Sequence, residues 1–295
     1  MTGSRAAWLF LAPALLVLAV FFLLPVLGAL ALSFTDYDLY ALADLHNLRF
    51  VALGNYWMLL HRPQFWAALG HTFYFVVAGV PLSLATSLGA ALLLHSPLAR
   101  CKSFFRTALF APVVTTAVAT AVVWRYLFNT KYGWANHLLG MLGIHPVDWL
   151  GDPHWAMPTI ILFAVWKNFG YNMIILLAGL QAIPGELYEA ARIDGASAWR
   201  QFRHITLPML GPTLLMVAIL TVSGYFQLFA EPYVMTDGGP LESTTSVLYL
   251  MYQDGFQWWN LGVATAEAFV LFLVMFVATA AMLRLSPRER TGEEA

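Results

Sequence analysis

Long apolar runs alternate with short polar stretches along the whole chain. Six such runs occur, at 8–32, 71–94, 107–128, 155–180, 209–229 and 259–283. At about 1.5 Å of rise per residue, each run is long enough to cross a hydrocarbon core of about 30 Å. The pattern predicts an all-α integral membrane protein with six transmembrane helices, and we expect residues 1–295 to form one domain.

The first run has an alternative interpretation as a cleavable signal peptide. Arg5 would be its charged start and Ala29-Leu30-Ala31 its cleavage site. Signal-peptide cores usually contain about 7–15 apolar residues, and this run is longer. We therefore favour a permanent span.

Composition supports the membrane class and narrows the partners. Hydrophobic residues make up 60% of the chain and charged residues 11%, which is about half the charge of an average soluble domain. The net charge of −1 argues against a nucleic-acid partner, which would need a basic surface. Cys101 is the single cysteine, so the chain has no disulfide framework of its own.

Basic residues between the runs predict the orientation, because lysine and arginine concentrate on the cytoplasmic side of a membrane. One side receives Arg5, Arg100, Lys102, Arg106, Arg192, Arg200, Arg203, Arg284, Arg288 and Arg290. The other receives Arg49, Arg62, Arg125 and Lys131. We expect both termini and the loop at 184–208 to be cytoplasmic.

The loop at 184–208 mixes helix-forming, charged and aromatic residues. Gly195 can adopt backbone angles that other residues avoid, so it should end a first short helix. Ser197 is a good N-cap for a second helix, which should stop at Pro208. The sequence predicts two short helices joined at a glycine corner.

The second short helix should place Trp199 and Phe202 on one face, three residues apart. Such a helix, with Arg200 and Arg203 beside the aromatic pair, could dock into a groove on a cytoplasmic partner. It could instead lie on anionic lipid. The residues alone leave both alternatives open.

The same loop resembles a known family. The matching residues are Glu189-Ala190-Ala191, Gly195, Ile205 and Leu207-Pro208. They resemble the "EAA" signature of permease subunits in binding-protein-dependent ABC importers, in the carbohydrate-uptake branch of the maltose and glycerol-phosphate permease type. Weaker similarities occur at 50–56, 104–107, 127–129 and 236–240.

The resemblance implies a type I ABC importer permease fold in the bacterial cytoplasmic (inner) membrane. It implies that the loop is a coupling helix seated in a cleft of an ATPase subunit, through Glu189, Ala190, Ala191, Asp194, Gly195, Ser197, Trp199, Arg200, Phe202, Arg203 and Pro208. The implied partners are a second permease subunit, an ATPase dimer and an extracytoplasmic solute-binding protein. ATP and Mg would bind in the ATPase, and the spans would move by alternating access. The best-known maltose-type subunit carries extra spans and a large outer insertion that this chain lacks.

No catalytic signature is evident in the sequence. There is no Gly-x-x-x-x-Gly-Lys phosphate loop, no His-Glu-x-x-His zinc motif and no Gly-x-Ser-x-Gly elbow. The eight histidines lack ligand spacing. We expect a transport subunit that binds no cofactor or metal, not an enzyme.

Two charged residues fall inside apolar runs, where an unpaired charge is costly. Lys167 lies near the middle of the fourth run and Glu267 in the sixth. We expect an internal ion pair between them that fixes helix packing, and a polar wall of a translocation path is compatible with it. Glu267→Gln should then lower assembly or transport, and a Lys167→Met, Glu267→Gln double change should partly restore it.

Polar and aromatic side chains in the inner runs are candidates for contacts with a carbohydrate, which binds through hydrogen bonds and stacking. The candidates are Asn168, Tyr171, Asn172, Tyr225 and Gln227. Hydrogen bonding between helices is the alternative role for each.

Two other functional classes remain to be weighed. An intramembrane enzyme would need a nucleophile and base at mid-depth, and the sequence shows no such pair. A secondary transporter or channel would need no ATPase, but it leaves the signature loop unexplained. The sequence does not name the sugar.

Overall fold

The computed structural model describes residues 3–285, which are helical throughout apart from loops and one isolated β-bridge between Thr35 and Phe50. Arg288 and Arg290, used above for the orientation, lie outside the described residues. The α-helices are α1 Gly3–Leu18, α2 Leu24–Ser33, α3 Leu39–Ala43, α4 Gly54–His61, α5 Pro63–His95, α6 Lys102–Val114, α7 Ala117–Leu127, α8 Trp134–Met141, α9 Pro153–Gln181, α10 Gly185–Ile193, α11 Ala198–Gln201, α12 Leu207–Met209, α13 Gly211–Phe226, α14 Ala230–Met235, α15 Val247–Tyr252 and α16 Leu261–Leu285. Single π-helical turns lie at Ala19–Leu23, Phe202–Thr206 and Gln253–Gln257. The predicted all-α class is confirmed.

Four helices are long and apolar enough to cross a membrane: Phe10–Ser33, Pro63–His95, Pro153–Gln181 and Leu261–Arg284. Two further pairs of helices pass the same test together but are bent at a short break, so the number of spans is four, or up to six if each bent pair is one span. The first bent pair covers the third apolar run, and the second joins the end of the 184–208 loop to the fifth run.

The third run is not the continuous helix that hydropathy predicted. Lys102–Val114 and Ala117–Leu127 meet at 98°. Thr115 and Thr116 between them are extended, with ψ of 153° and 138°. Pro112 has no N–H to donate to the preceding turn, which weakens a helix at this point. Neutral threonines do not lower hydropathy enough to reveal such a break.

The fifth run is bent as well. The segment Ala198–Met209 meets Gly211–Phe226 at 66°, with Leu210 at the junction. Pro212 lies in the first turn of α13, where the missing N–H of proline costs little. The predicted span at 209–229 therefore corresponds to a shorter helix that enters from a bent segment.

Within the described residues 3–285 the chain forms two compact units, one of residues 3–66 and 250–273 and the other of residues 67–249 and 274–285. The single transport domain over residues 1–295 stays a prediction. In the first unit, the buried amide of Asn55 donates to the carbonyls of Ser33 and Thr35, both at 2.8 Å. Gly262 approaches this corner so closely that a Cβ would lie 2.2 Å from the Thr35 carbonyl oxygen. These contacts hold the start of α16 against the α2–α3 connection.

In the second unit, apolar side chains of α5, α9 and α13 form a continuous core. Its fully buried members include Ala91, Met173, Leu176, Leu210 and Val217. The backbones of α6 and α9 also meet directly, since a Cβ on Gly170 would lie 2.3 Å from the Leu109 carbonyl oxygen. Close contact of this kind requires glycine and keeps α6 on α9.

The connection between α5 and α6 is short and ends at Cys101. Cys101 has a left-handed backbone, with φ of 53°, and is exposed. Lys102 then begins α6.

Candidate functional site

A cavity of about 390 Å³ lies beside the middle of α9 and the end of α13 in the second unit. All of the residues predicted for a substrate path line it: Asn168, Tyr171, Asn172, Tyr225 and Gln227. The structure therefore brings together two sets of residues that are more than 50 positions apart in the chain. That they contact a substrate stays a prediction.

Tyr225 forms the aromatic wall of the cavity together with Phe75. The two rings stack with centroids 4.9 Å apart and planes 30° apart. Gly79 makes room for this wall, because a Cβ there would lie 2.5 Å from Cε1 of Tyr225. Phe75 and Gly79 could not be singled out beforehand, since an aromatic residue and a glycine are common in an apolar run.

Asn172 fixes the polar side of the cavity. Its amide donates to Thr221 Oγ1 at 2.9 Å and more weakly to Ser83 Oγ at 3.4 Å. This amide joins α9, α13 and α5. Asn172 therefore also has the alternative role considered for the path residues, which is hydrogen bonding between helices.

Glu231, which follows the fifth run and is the second residue of α14, also lines the cavity. Burial raises the pKa of the Glu231 carboxyl above its usual range, and the Lys167 ammonium acts in the opposite direction. Glu231 was not among the residues predicted for the path, since it lies just beyond the fifth run.

Lys167 has partners that the sequence did not predict. It is 7% exposed, and its ammonium donates to the carbonyls of Pro112 at 2.7 Å, Val113 at 3.3 Å and Thr115 at 2.7 Å. The helix breaks there, so these carbonyls lack their usual donors from the next helical turn, although the Pro112 carbonyl also accepts from Thr115 Oγ1 at 2.6 Å. Lys167 therefore caps the broken end of α6.

Glu267 lies in the first unit, in a cluster with Arg62 and Asp254. Arg62 makes two hydrogen bonds to Asp254, one of them at 3.3 Å, and its Nη1 lies 3.7 Å from Glu267 Oε1. Glu267 is fully buried, and neither of its oxygens has a hydrogen-bond partner among the described residues. The predicted Lys167–Glu267 ion pair is therefore wrong, because each charge has other partners.

The loop at 184–208 forms the predicted pair of short helices. Gly195 has φ of 75° at the corner, and Ser197 caps the second helix by accepting from the Arg200 N–H at 3.4 Å. The glycine corner and the serine cap are confirmed. The predicted stop at Pro208 is one residue early, since α12 runs to Met209 and Pro208 lies in its first turn.

We use the name coupling hairpin for α10 through α12, residues 185–209. At its surface Trp199 is 69% exposed and stacks on Phe202 at 5.5 Å between ring centroids. Ile193 is 87% exposed at the end of α10. A stacked aromatic pair and an aliphatic side chain in solvent form an apolar surface with no partner in the described chain.

Two contacts that the sequence did not predict brace the coupling hairpin. Tyr188 Oη and Thr206 Oγ1 are 2.9 Å apart and link α10 to the π-helical turn. The Gln201 amide donates to the Ala196 carbonyl at 2.9 Å, across the corner. The two arms should therefore move as one body.

An all-helical chain with membrane-length helices, a polar cavity between them and an exposed helical hairpin belongs to the class of multi-pass membrane transport subunits. Residues 58–291 match the family described as "Binding-protein-dependent transport system inner membrane component". The chain belongs to that family. It is an inner-membrane permease subunit of a transport system that works with a solute-binding protein, and it is not itself an enzyme.

Relatives of known name match over almost the full chain. The lactose transport system permease protein LacF of Rhizobium radiobacter is 38% identical, over 92% of this chain and 90% of its own length. The trehalose/maltose transport system permease protein MalF of Thermococcus litoralis is 35% identical, over 96% and 94%. The arabinooligosaccharides transport system permease protein AraP of Bacillus subtilis is 34% identical, over 96% and 89%.

A solved structure shares the fold. A chain of a bacterial alginate ABC transporter, crystallised with its alginate pentasaccharide-bound periplasmic protein, superposes with a TM-score of 0.79 over 96% of this chain and 94% of that one. The sequence identity is 21%, so the similarity speaks for the fold. It confirms the predicted ABC importer permease fold. Among residues 3–285, no group of three or more histidine, cysteine, aspartate or glutamate side chains could hold a metal.

Proposed function

We propose that this chain is one of two permease subunits of an ATP-driven carbohydrate importer and forms part of the translocation path by alternating access. The observation that supports a carbohydrate substrate is that relatives matching nearly the whole chain are named for lactose, trehalose/maltose and arabinooligosaccharides. The cavity supports it, because amide groups and a stacked aromatic wall are what hydroxylated rings need.

The coupling hairpin is the proposed contact with a separate ATPase dimer. Its exposed Trp199–Phe202 pair suits insertion into a groove, and the flanking Arg200 and Arg203 suit an acidic rim. This assignment puts the loop at 184–208 and both termini in the cytoplasm. ATP and Mg bind in the ATPase subunits. Lipid contact by the same helix is the alternative that an experiment must separate.

The proposed mechanism transmits movement through the braced hairpin. Closure of the ATPase dimer on ATP moves the coupling hairpin, and the contact of Tyr188 with Thr206 prevents its arms from opening. The Leu210 junction joins the hairpin to α13, whose far end carries Tyr225 and Gln227 at the cavity. The cavity then opens to the exterior, where the solute-binding protein docks, and hydrolysis resets it.

The test is assembly and uptake with the full chain, expressed with its own transport partners and reconstituted into proteoliposomes. Wild type should copurify with an ATPase and take up lactose, maltose or trehalose only when ATP is present. Trp199→Ala should lose most of the bound ATPase, because it removes the exposed half of the aromatic stack. Trp134→Ala is the matched control, since Trp134 is also exposed, at 66%, but lies in α8.

Gly195→Val provides the corresponding test of the corner. A valine at φ of 75° is strained by about 1–2 kcal/mol, and we expect uptake to fall while the protein still inserts. Gly185→Ala, at a position with open space and ordinary φ, is the control. Uptake without ATPase would favour a secondary transporter. Full ATPase binding and uptake by both Trp199→Ala and Gly195→Val would refute the coupling role.

A further inference from the structure

Two amide side chains at the cavity each donate one N–H to the backbone carbonyl four residues earlier in the chain. Asn168 Nδ2 donates to the Ala164 carbonyl at 3.0 Å, and Gln227 Nε2 donates to the Ser223 carbonyl at 3.1 Å. A carbonyl can only accept, so the nitrogen of each amide must face it. The amide oxygens of Asn168 and Gln227, together with the second N–H of each amide, are therefore left for the cavity.

The third amide is fixed in the same sense by a longer chain of hydrogen bonds. Thr221 Oγ1 donates to the Val217 carbonyl at 2.7 Å, so its hydrogen is committed. It must then accept from Asn172, at 2.9 Å, and the Asn172 nitrogen must face it. The oxygen of Asn172 is again the atom without a protein partner.

No cationic side chain of the described residues lines the cavity beside these acceptors. Among the described residues that line the cavity, none is lysine, arginine or histidine, and the one charged type is the acid Glu231. The neighbouring Lys167 directs its ammonium to three backbone carbonyls at the α6–α7 break. An ammonium has three N–H donors, and these three bonds use them all.

We propose that the cavity passes neutral, hydroxyl-bearing carbohydrates and excludes acidic ones, with Asn168, Asn172 and Gln227 presenting hydrogen-bond acceptors to the sugar hydroxyls. The inference rests on the proposed function and specifies its substrate class.

The physical reason is that neutral and acidic sugars differ in the hydrogen-bond donors and acceptors that they present. A hydroxyl can donate to an amide oxygen, whereas a carboxylate, phosphate or sulfonate can only accept. An anionic group in the cavity would lose water, face the acid Glu231 and the amide oxygens, and find no cation in the described lining to balance its charge. Burial of a charge without a partner costs several kcal/mol, so the neutral sugar should pass faster.

The test compares a neutral sugar with an acid of the same skeleton in the reconstituted complex. Lactose and lactobionate form one pair, and maltose and maltobionate form another. The solute-binding protein is identical in all samples, so a change in the acid-to-neutral uptake ratio between variants reports on the permease. Wild type should carry the neutral member at least about tenfold faster, the effect of one ordinary hydrogen bond or more.

Gln227→Lys places a cation in the cavity wall and should raise the acid-to-neutral ratio about tenfold. Gln227→Met, of similar length and uncharged, should slow the neutral sugar without increasing the acid uptake. Asn168→Lys is an independent second variant in case Gln227→Lys does not assemble.

Equal uptake of both members by wild type would overturn the inference and leave the proposed function intact. So would an unchanged ratio in assembled Gln227→Lys and Asn168→Lys complexes, or a rise in the rate of acid uptake by Gln227→Met as large as that by Gln227→Lys. Failure of the wild-type complex to carry any neutral sugar with ATP would refute the proposed function, and the inference with it.

Discussion

Lys167 and Glu267 are both buried charges in apolar helices, and their surroundings differ. Lys167 has three hydrogen-bond donors and three backbone carbonyls to receive them. Within residues 3–285 neither oxygen of Glu267 has a hydrogen bond, and Arg62 Nη1, at 3.7 Å from Glu267, also bonds to Asp254. The carbonyls at the helix break accept hydrogen bonds from all three N–H groups of Lys167. Glu267 shares one arginine with Asp254, so its charge is compensated only in part.

The comparison shows that a charge in an apolar run need not have an opposite charge as its partner. A helix end leaves carbonyls unpaired, and a lysine can supply the missing donors. The carbonyl end of a helix cannot stabilise a carboxylate in the same way, because carbonyls and carboxylates both accept hydrogen bonds. A buried carboxylate must therefore rely on a cation. The consequences of removing each group should therefore differ in size.

Removal of the shared cation should have the largest effect. Arg62→Met leaves Asp254 and Glu267, both buried, without their positive partner, and we expect the free energy of unfolding to fall by about 3–5 kcal/mol. Denaturant titration in detergent measures it. Arg49→Met is the control, because its bond to Asp36 is at the surface and should contribute less than about 1 kcal/mol. Equal losses in the two variants would contradict the buried-cluster interpretation.

Lys167→Met should have an intermediate effect. It removes the lysine donors from the carbonyls at the α6–α7 break, but the Thr115 hydroxyl still donates to the Pro112 carbonyl, and Thr115 is exposed, so water can replace part of the loss. We expect a loss of about 1–3 kcal/mol by the same titration, accompanied by slower uptake because the break adjoins the cavity residue Val113. Lys131→Met, at an exposed loop position, should change neither quantity. A Lys167→Met protein as stable as wild type would show that the carbonyls do not need the lysine.

The smallest effect concerns Glu267→Gln and its coupling to Lys167. Glu267 accepts no hydrogen bond, so the neutral isostere should change the free energy of unfolding by less than about 1 kcal/mol. Lys167 and Glu267 share no partner, so the Lys167→Met, Glu267→Gln double variant should equal the sum of the singles within about 0.5 kcal/mol. A larger coupling energy would restore the ion pair that the sequence suggested.

Local chemistry made the coupling hairpin predictable. Gly195 and Ser197 specify a corner and a cap through their own backbone and side chain, and the structure has both. The helical runs were predictable for the same reason, since hydropathy is a property of neighbouring residues. Helix α9 covers the fourth run, and α16 covers most of the sixth.

The partners of buried groups could not be predicted in this way. A lysine and a glutamate in apolar runs suggest a pair, but the carbonyls at 112–115 become available only once the helix breaks. The polar residues of the cavity lining could be predicted, because polar side chains are rare in apolar runs. Gly79 and Phe75 could not, because such residues are common in apolar runs and have a role only where the helices pack together.

Cys101 gives the native chain a built-in reporter. It is the sole thiol of the sequence and it is exposed beside Lys102, in the connection between α5 and α6. A maleimide that cannot cross lipid will react with it from one compartment only, so the sidedness of that connection can be determined without engineered cysteines. A fluorophore or spin label attached there would also follow the start of α6 during turnover in an otherwise unaltered protein.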